Sequence, residues 1–272
     1  MDQYRVFGNP IKQSRSPFIH QSFAQATNQA LNYEIHFAAL DGFVKAVKKF
    51  IAQGGKGANI TAPFKEQAMA MCDELTEHAK FSGAVNTLSF KNGKIYGDTT
   101  DGIGLVNDLL ANGVILENSK LLLLGAGGAA KGVVLPLLNQ KPKSLTIANR
   151  TVTKAKAIVE QYNNQPLSAC SFDEANEQAF DVIINATSAG LTGGGVPIAE
   201  KLITSNSVCY DMTYGKKLTP FLQKAQSQKA LKVIDGLGML VGQAAESFYI
   251  WRGVKPRVEP IILKLKSSIA QE

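Results

Sequence analysis

Leu121–Leu124 is an apolar run that ends in Gly125-Ala126-Gly127-Gly128-Ala129-Ala130, and a helical pattern follows at once. Gly125-x-Gly127-x-x-Ala130 after a strand is the turn that opens a dinucleotide-binding unit. Gly125 permits the tight turn, Gly127 lets a pyrophosphate approach the backbone, and a small residue at 130 lets helix and strand pack closely. The helix N-terminus offers free N–H groups and partial positive charge to the phosphates. Hydride chemistry is therefore the first reading. Similar turns occur in methyltransferases and in purely structural corners, so context matters. Ser144–Arg150 supplies it, as a second strand-like segment at βαβ distance.

That second strand points to the dinucleotide. An NAD-preferring unit places Asp or Glu at its end to hold the ribose 2′-hydroxyl. Here the strand ends in Asn149-Arg150-Thr151, with Lys154 three residues on, and no carboxylate is present to repel a 2′-phosphate. Arg150 can form charge-assisted bonds to phosphate, Thr151 can donate another, and Lys154 adds a point charge. The expected cofactor is NADP(H). The alternative is that Arg150 and Lys154 are solvated charges and Thr151 an N-cap; cations at a helix start oppose its dipole, which weighs against that.

Three polar clusters stand out in the first hundred residues: Ser14-Arg15-Ser16-Pro17, Asn59-Ile60-Thr61-Ala62-Pro63-Phe64-Lys65, and Asn86 followed by Asp98-Thr99-Thr100-Asp101-Gly102. Each also has a purely structural explanation. Ser16 suits a helix N-cap, Thr61 a strand-end turn, and Asp101-Gly102 a helix cap. Lys65 falls in a first helical turn, where the dipole does not favour a cation.

The elements that must position these residues alternate. Strands are expected near 3–8, 32–39, 57–61, 84–90 and 94–97, the last two joined at Asn92-Gly93, a strong hairpin turn. Helices are expected near 16–28, 42–52 and from Pro63. A helix at 102–112 leads into strands at 121–124, 145–149, 181–185, 208–211 and 233–234, with helices at 129–138, 153–162 and 220–228. Strand–helix alternation of this kind implies a doubly wound parallel sheet. The fold class is α/β: an N-terminal α/β substrate domain (1–101), a Rossmann-like NADP domain (102–236), and C-terminal helices (237–272).

Composition is that of an ordinary globular enzyme, with 272 residues, 45% hydrophobic and 19% charged. The net charge of +7 is spread over Lys and Arg in runs no longer than two, which argues against nucleic acid. No apolar run reaches the length of a membrane helix, and the start carries no signal pattern. The three cysteines are widely spaced and odd in number, which reads as reduced thiols in a cytoplasmic protein. The three histidines have no metal-ligand spacing, so no metal is expected.

The chain resembles the shikimate dehydrogenase family through nearly its whole length. The resemblance lies in Phe7–Ile11, Ser14–His20, Asn59–Lys65, Gly83–Thr87, Gly97–Gly102, Gly125–Ala129, Asn149–Thr151, Asn185–Gly190, Tyr210–Met212 and Asp235–Leu240, in that order. It implies reversible NADPH-dependent reduction of 3-dehydroshikimate to shikimate in a cleft between the domains. It implies that Ser14 and Ser16 bind the substrate carboxylate, that Asn59, Thr61, Asn86 and Gln243 address ring hydroxyls, and that Tyr214 adds a hydrogen bond. Lys65 and Asp101 form the central pair. Gly125, Ala126, Gly127, Gly128 and Ala129, then Asn149 to Lys154, contact the cofactor. The resemblance further implies that Thr187 and Ser188 border it, that Met212, Gly236 and Met239 lie near the nicotinamide, and that Glu77 lies near the cofactor, a placement for which the residues themselves give no physical reason.

Carbonyl reduction needs a donor or cation beside the developing alkoxide, and Lys65 can supply either. Asp101 would orient it. The C-terminal helices would return to the N-terminal domain, carry Gln243 to the cleft and form a hinge whose closure excludes water. Three positions depart from the family pattern: Thr99 where Asn is common, Gln21 where Asn is frequent, and Lys154 where Arg is common. The last loses bidentate phosphate binding and softens NADP preference. The nearest rival is a quinate/shikimate dehydrogenase with relaxed substrate and cofactor choice. A catalytically silent metabolite sensor would lack a use for Lys65 with Asp101, and a folate-pathway dehydrogenase a use for Ser14 with Ser16. A monomer and a homodimer both fit.

Overall fold

The computed structural model describes residues 1–187 and 195–271. Its first sheet comes from β1 (Asp2–Gly8), β2 (Leu31–Phe37), β3 (Gly57–Ile60), β4 (Glu74–Leu75), β5 (Thr87–Lys91) and β6 (Lys94–Asp98), in the order β2-β1-β3-β5-β6-β4. β1 runs parallel to β2 and β3, while β5 is antiparallel to β3 and β6. Asn92 and Gly93 both have positive φ, 53° and 75°, as the tight β5–β6 hairpin requires. Helices α1 (Ser16–Ala26), α2 (Phe43–Ala52), α3 (Lys65–Ala70) and α4 (Glu77–Ser82) complete this half.

The second sheet is parallel throughout. It contains β7 (Lys120–Leu124), β8 (Ser144–Ala148), β9 (Leu167–Cys170), β10 (Val182–Asn185), β11 (Val208–Asp211) and β12 (Lys232–Asp235), in the order β12-β11-β10-β7-β8-β9. α5 (Asp101–Ala111) leads into the sheet, and α6 (Gly128–Leu138), α7 (Val152–Val159), α8 (Phe172–Ala175) and α9 (Pro220–Ser227) run between its strands. Leu121 and Leu123 pack into one apolar cluster, and Leu122 and Leu124 into another. Burial on both faces explains why β7 is an unbroken leucine run. Strand order reverses between β7 and β10, and ligands of such sheets bind at that switch point.

α10 (Leu237–Arg252) and α11 (Glu259–Gln271) return to the first half. Leu237, Val241, Ala244 and Phe248 of α10, with Ile261, Leu265 and Ile269 of α11, share a core with Tyr4, Val6, Ile19 and Phe23. α10 crosses α5 with backbones almost touching: a Cβ on Gly104 would lie 2.6 Å from the Gln243 nitrogen.

Some local expectations fail. Ser16 is not the N-cap of α1; Arg15 holds that position without a capping side-chain bond to the helix, and the Ser16 N–H donates to Ser14 Oγ at 3.3 Å. Asp101 does not cap α5, because Thr100 occupies that position and the carboxylate points elsewhere. β4, β9 and the short helices α4 and α8 carry too few residues for a periodic signal. No helix among the described residues is long and apolar enough to cross a membrane.

Candidate active site

A cleft of about 740 Å³ lies between the two sheets. It is lined by Ser14, Ser16, Asn59, Thr61, Lys65, Asn86 and Asp101, together with Met212 and Tyr214 after β11 and Gly236, Met239 and Gln243 at and along the start of α10. Every expected substrate residue and the three expected nicotinamide neighbours thus meet in one space.

Lys65 opens α3, against the preference of a helix dipole, and its partner explains why: Nζ lies 2.5 Å from Asp101 Oδ2. Both side chains are partly open to the cleft, 32% and 20% exposed. Asn86 Nδ2 donates to Asp101 Oδ1 at 2.9 Å and reaches Gln243 Oε1 at 3.3 Å. Asn86 Oδ1 accepts from the Thr100 N–H at 3.0 Å and from Thr87 Oγ1 at 2.7 Å. The pair is therefore held by an amide whose own orientation is fixed from behind.

Asn59 is more occupied than its expected role implies. Its Nδ2 donates to Asn86 O, Thr87 Oγ1 and Ser247 Oγ at 3.2, 3.2 and 3.0 Å, and its Oδ1 accepts from Tyr33 OH at 2.7 Å. Burial pushes the Tyr33 phenol well above its ordinary pKa, with the Ser16 hydroxyl pulling the other way. Ser16 is thereby coupled through Tyr33 and Asn59 to Asn86. His20 stacks on Tyr33 with centroids 4.2 Å apart and planes 5° apart.

The glycine turn has the shape a pyrophosphate needs. Gly125 has φ of +109°, a conformation L side chains rarely adopt. A Cβ on Gly127 or Gly128 would meet nothing within 4 Å, and Gly127 N-caps α6 with no side chain across its free N–H groups. Ala126 is buried, Ala129 exposed, and Ala130 packs fully against the sheet. Gly236 fits only as glycine, since a Cβ there would lie 2.2 Å from Met212 O.

At the end of β8, Asn149 Nδ2 donates to Thr151 O at 2.9 Å. Thr151 occupies the N-cap of α7 without making a cap bond, so its hydroxyl is not used by the helix. Arg150, Thr151 and Lys154 are all exposed. Thr187 lies beyond β10, its N–H and hydroxyl both donating to Asn185 Oδ1 at 3.1 and 2.7 Å. Ser188 lies outside the described residues. Glu77, in the first turn of α4, is 70% exposed, pairs with Lys80 at 2.8 Å and does not line the cleft.

Sequence reasoning missed the residues behind the site. Thr87, Thr100 and Ser247 are buried hydroxyls that lock Asn59 and Asn86. Asp211 is buried and accepts from Asn185 Nδ2, Thr219 Oγ1 and the Thr213 N–H at 3.0, 2.6 and 2.9 Å, which fixes the strand end before Met212. A charged residue closing an otherwise apolar strand, as in Val208-Cys209-Tyr210-Asp211, is the signal that was available.

Family models match the chain in three stretches. They are the shikimate dehydrogenase substrate binding domain over residues 6–88, shikimate / quinate 5-dehydrogenase over 109–196, and the shikimate 5′-dehydrogenase C-terminal domain over 236–262. A shikimate dehydrogenase (NADP(+)) from Colwellia psychrerythraea is 59% identical over 98% of each chain. The crystal structure of an Ael1 enzyme from Pseudomonas putida has a TM-score of 0.95 at 44% identity, covering 97% of this chain and 98% of that one. The structure of shikimate 5-dehydrogenase from Thermus thermophilus, in complex with NADP(H) and shikimate, has a TM-score of 0.88 at 30% identity, covering 99% of this chain and 100% of that one. A cleft built around a lysine–aspartate pair, a dinucleotide turn and relatives matched end to end lead to one conclusion: the chain belongs to the shikimate dehydrogenase family.

Proposed function

We propose that this chain is an NADP-dependent shikimate dehydrogenase, an oxidoreductase that reversibly reduces 3-dehydroshikimate to shikimate in the pathway to chorismate and the aromatic amino acids. The observation that carries the reading is Lys65 Nζ, 2.5 Å from Asp101 Oδ2, in one cleft with Met212, Gly236 and Met239. The relatives' names give shikimate with NADP(+), so the quinate alternative is not favoured.

Bound NADP(H) supplies or removes the hydride. Ser14 and Ser16 hold the substrate carboxylate at the start of α1, where hydroxyl donors and the helix terminus favour an anion. Thr61, Asn86 and Gln243 address the ring hydroxyls, with Tyr214 lining the same cleft. Asn59 contributes mainly by holding Asn86, since its amide is taken up internally. Negative charge grows on the ketone oxygen during reduction, and the Lys65 ammonium gives it a proton; in oxidation Lys65 takes that proton back. Asp101 keeps the ammonium aimed at the reacting oxygen.

For the cofactor, Gly125 to Ala129 receive the pyrophosphate, and Asn149, Arg150, Thr151 and Lys154 take the adenosine end with its 2′-phosphate. Thr187 and Ser188 border it, and Glu77 lies near it as the family resemblance implies. On this reading residues 1–101 form the substrate domain, 102–236 the NADP domain, and 237–272 the returning helices. A monomer and a homodimer both fit this reading. The odd set of three free cysteines fits a cytoplasmic enzyme.

The test is nicotinamide absorbance during shikimate oxidation by purified protein, with NADP and NAD in parallel. Fast turnover with NADP and little with NAD is expected. Comparable turnover with both would move the assignment to the relaxed quinate/shikimate type, and none with either would overturn the enzyme reading.

A further inference from the structure

The mechanism above does not use Asp108, a carboxylate only 8% exposed at the crossing of α5 and α10. Its Oδ2 accepts from Tyr210 OH at 2.7 Å, and its Oδ1 accepts from Asn112 Nδ2 at 3.0 Å. It lies against the first turn of α10: a Cβ on Gly238 would come within 2.0 Å of Oδ1, so only glycine fits beneath it. The N-cap of α10, Gly236, has no side-chain cap bond. A carboxylate at this end of a sixteen-residue helix faces the positive pole of its dipole.

Three segments converge on this one side chain, and each carries a wall of the cleft. Tyr210 sits in β11, two residues before Met212. Gly238 sits between Gly236 and Met239. Asp108 itself follows Asp101 by seven residues, about two turns along the same face of α5. Halfway between them Gly104 touches the α10 backbone at Met239 and Gln243.

We propose that Asp108 is a positioning residue for hydride transfer: it sets the nicotinamide wall, Met212, Gly236 and Met239, relative to the Lys65–Asp101 pair. The inference rests on the dehydrogenase reading and deepens it. Asp108 does not line the cleft and lies near the first turn of α10 rather than at Gln243 further along it, so its removal acts more on the reacting distance than on substrate affinity. A misplacement of about 1 Å at a reacting centre can slow a reaction by about a hundred-fold.

The experiment compares wild type, Asp108→Asn and Tyr210→Phe. It measures kcat, the shikimate KM, the thermal midpoint, and the primary deuterium isotope effect on kcat with shikimate labelled at the carbon that loses hydride. Active sites are counted by NADPH fluorescence, so rates refer to folded enzyme. Asp108→Asn is expected to lower kcat about ten-fold or more, leave the shikimate KM within about two-fold, and raise the isotope effect as hydride transfer becomes more rate-limiting. Tyr210→Phe moves the same quantities in the same direction by less. If Asp108→Asn is recovered unfolded, Tyr210→Phe carries the test alone. A lower thermal midpoint with wild-type kcat and isotope effect per folded site overturns the proposal, as does a raised shikimate KM at unchanged kcat. A wild type that does not turn over shikimate overturns the parent reading, and this one with it; active wild type with unaffected variants overturns only this one.

Discussion

His20 makes the first half of the molecule sensitive to mild acid. It is fully buried, stacked on Tyr33 and close to Phe23, Phe248 and Trp251. Neither ring nitrogen meets a hydrogen-bond partner among the described residues. Asn59 lies near enough to favour the charged form, but its own amide is bonded elsewhere. Burial therefore lowers the His20 pKa from 6.5 to about 3. The unfolded chain takes a proton near 6.5 and the folded one only near 3, so the unfolded state binds more protons between these values. Stability falls as pH drops below 6.5 and this loss levels off only near 3. At roughly 1.4 kcal/mol per pH unit, the loss reaches about 2 kcal/mol by pH 5 and is nearly absent at pH 7. His20→Phe keeps an aromatic ring in the stack and removes the titration. Urea unfolding, followed by the single tryptophan, reports this half directly, because Trp251 stacks on Tyr4 at 4.6 Å and donates to Leu88 O. From pH 7 to pH 5 the wild type should lose about 2 kcal/mol more than His20→Phe. Parallel losses in the two proteins would refute the reasoning, since carboxylates common to both would then explain the whole acid response.

Lys65→Met should lower kcat by about a hundred-fold or more while changing the shikimate KM far less, as expected for a group that acts in proton transfer; an unchanged kcat would sink its assignment. Arg150→Ala should raise the NADP KM by roughly ten- to a hundred-fold, the worth of a charge-assisted bond of about 1.5–3 kcal/mol, and leave the NAD KM unaltered. Equal effects on both cofactors would remove Arg150 from 2′-phosphate recognition. Gly125→Ala forces a side chain into a backbone at φ +109° and within 3.2 Å of Thr187 Cγ2, so a loss of about 1–3 kcal/mol by thermal unfolding is expected, along with weaker NADP binding. Wild-type stability and affinity would show that the turn tolerates a Cβ.

Local features of the chain were legible because their causes are local. A leucine run ending in glycines announces a two-sided strand and a positive-φ turn, and both are found at Leu121–Leu124 and Gly125. Asn92-Gly93 announces a hairpin because few other pairs adopt its dihedrals. Family resemblance added names to the cleft residues, and the fold brings all of its expected substrate set together. What neither spacing nor propensity contains is contact across the chain. Lys65 and Asp101 are 36 residues apart, Asn86 and Gln243 157, and Asn59 and Ser247 188. The first bond needs α3 brought against the start of α5, and the other two exist only because α10 returns from the second sheet and lays Gln243 and Ser247 against Asn86 and Asn59. The same return of α10 decides that Asp108 is buried on Tyr210 and Gly238, and that His20 sits against Phe248 and Trp251, its ring nitrogens unpartnered among the described residues. In sequence, Ser247 is one more helical serine and Asp108 one more helical carboxylate. Burial and the company of distant groups determine their chemistry, and those are properties of packing.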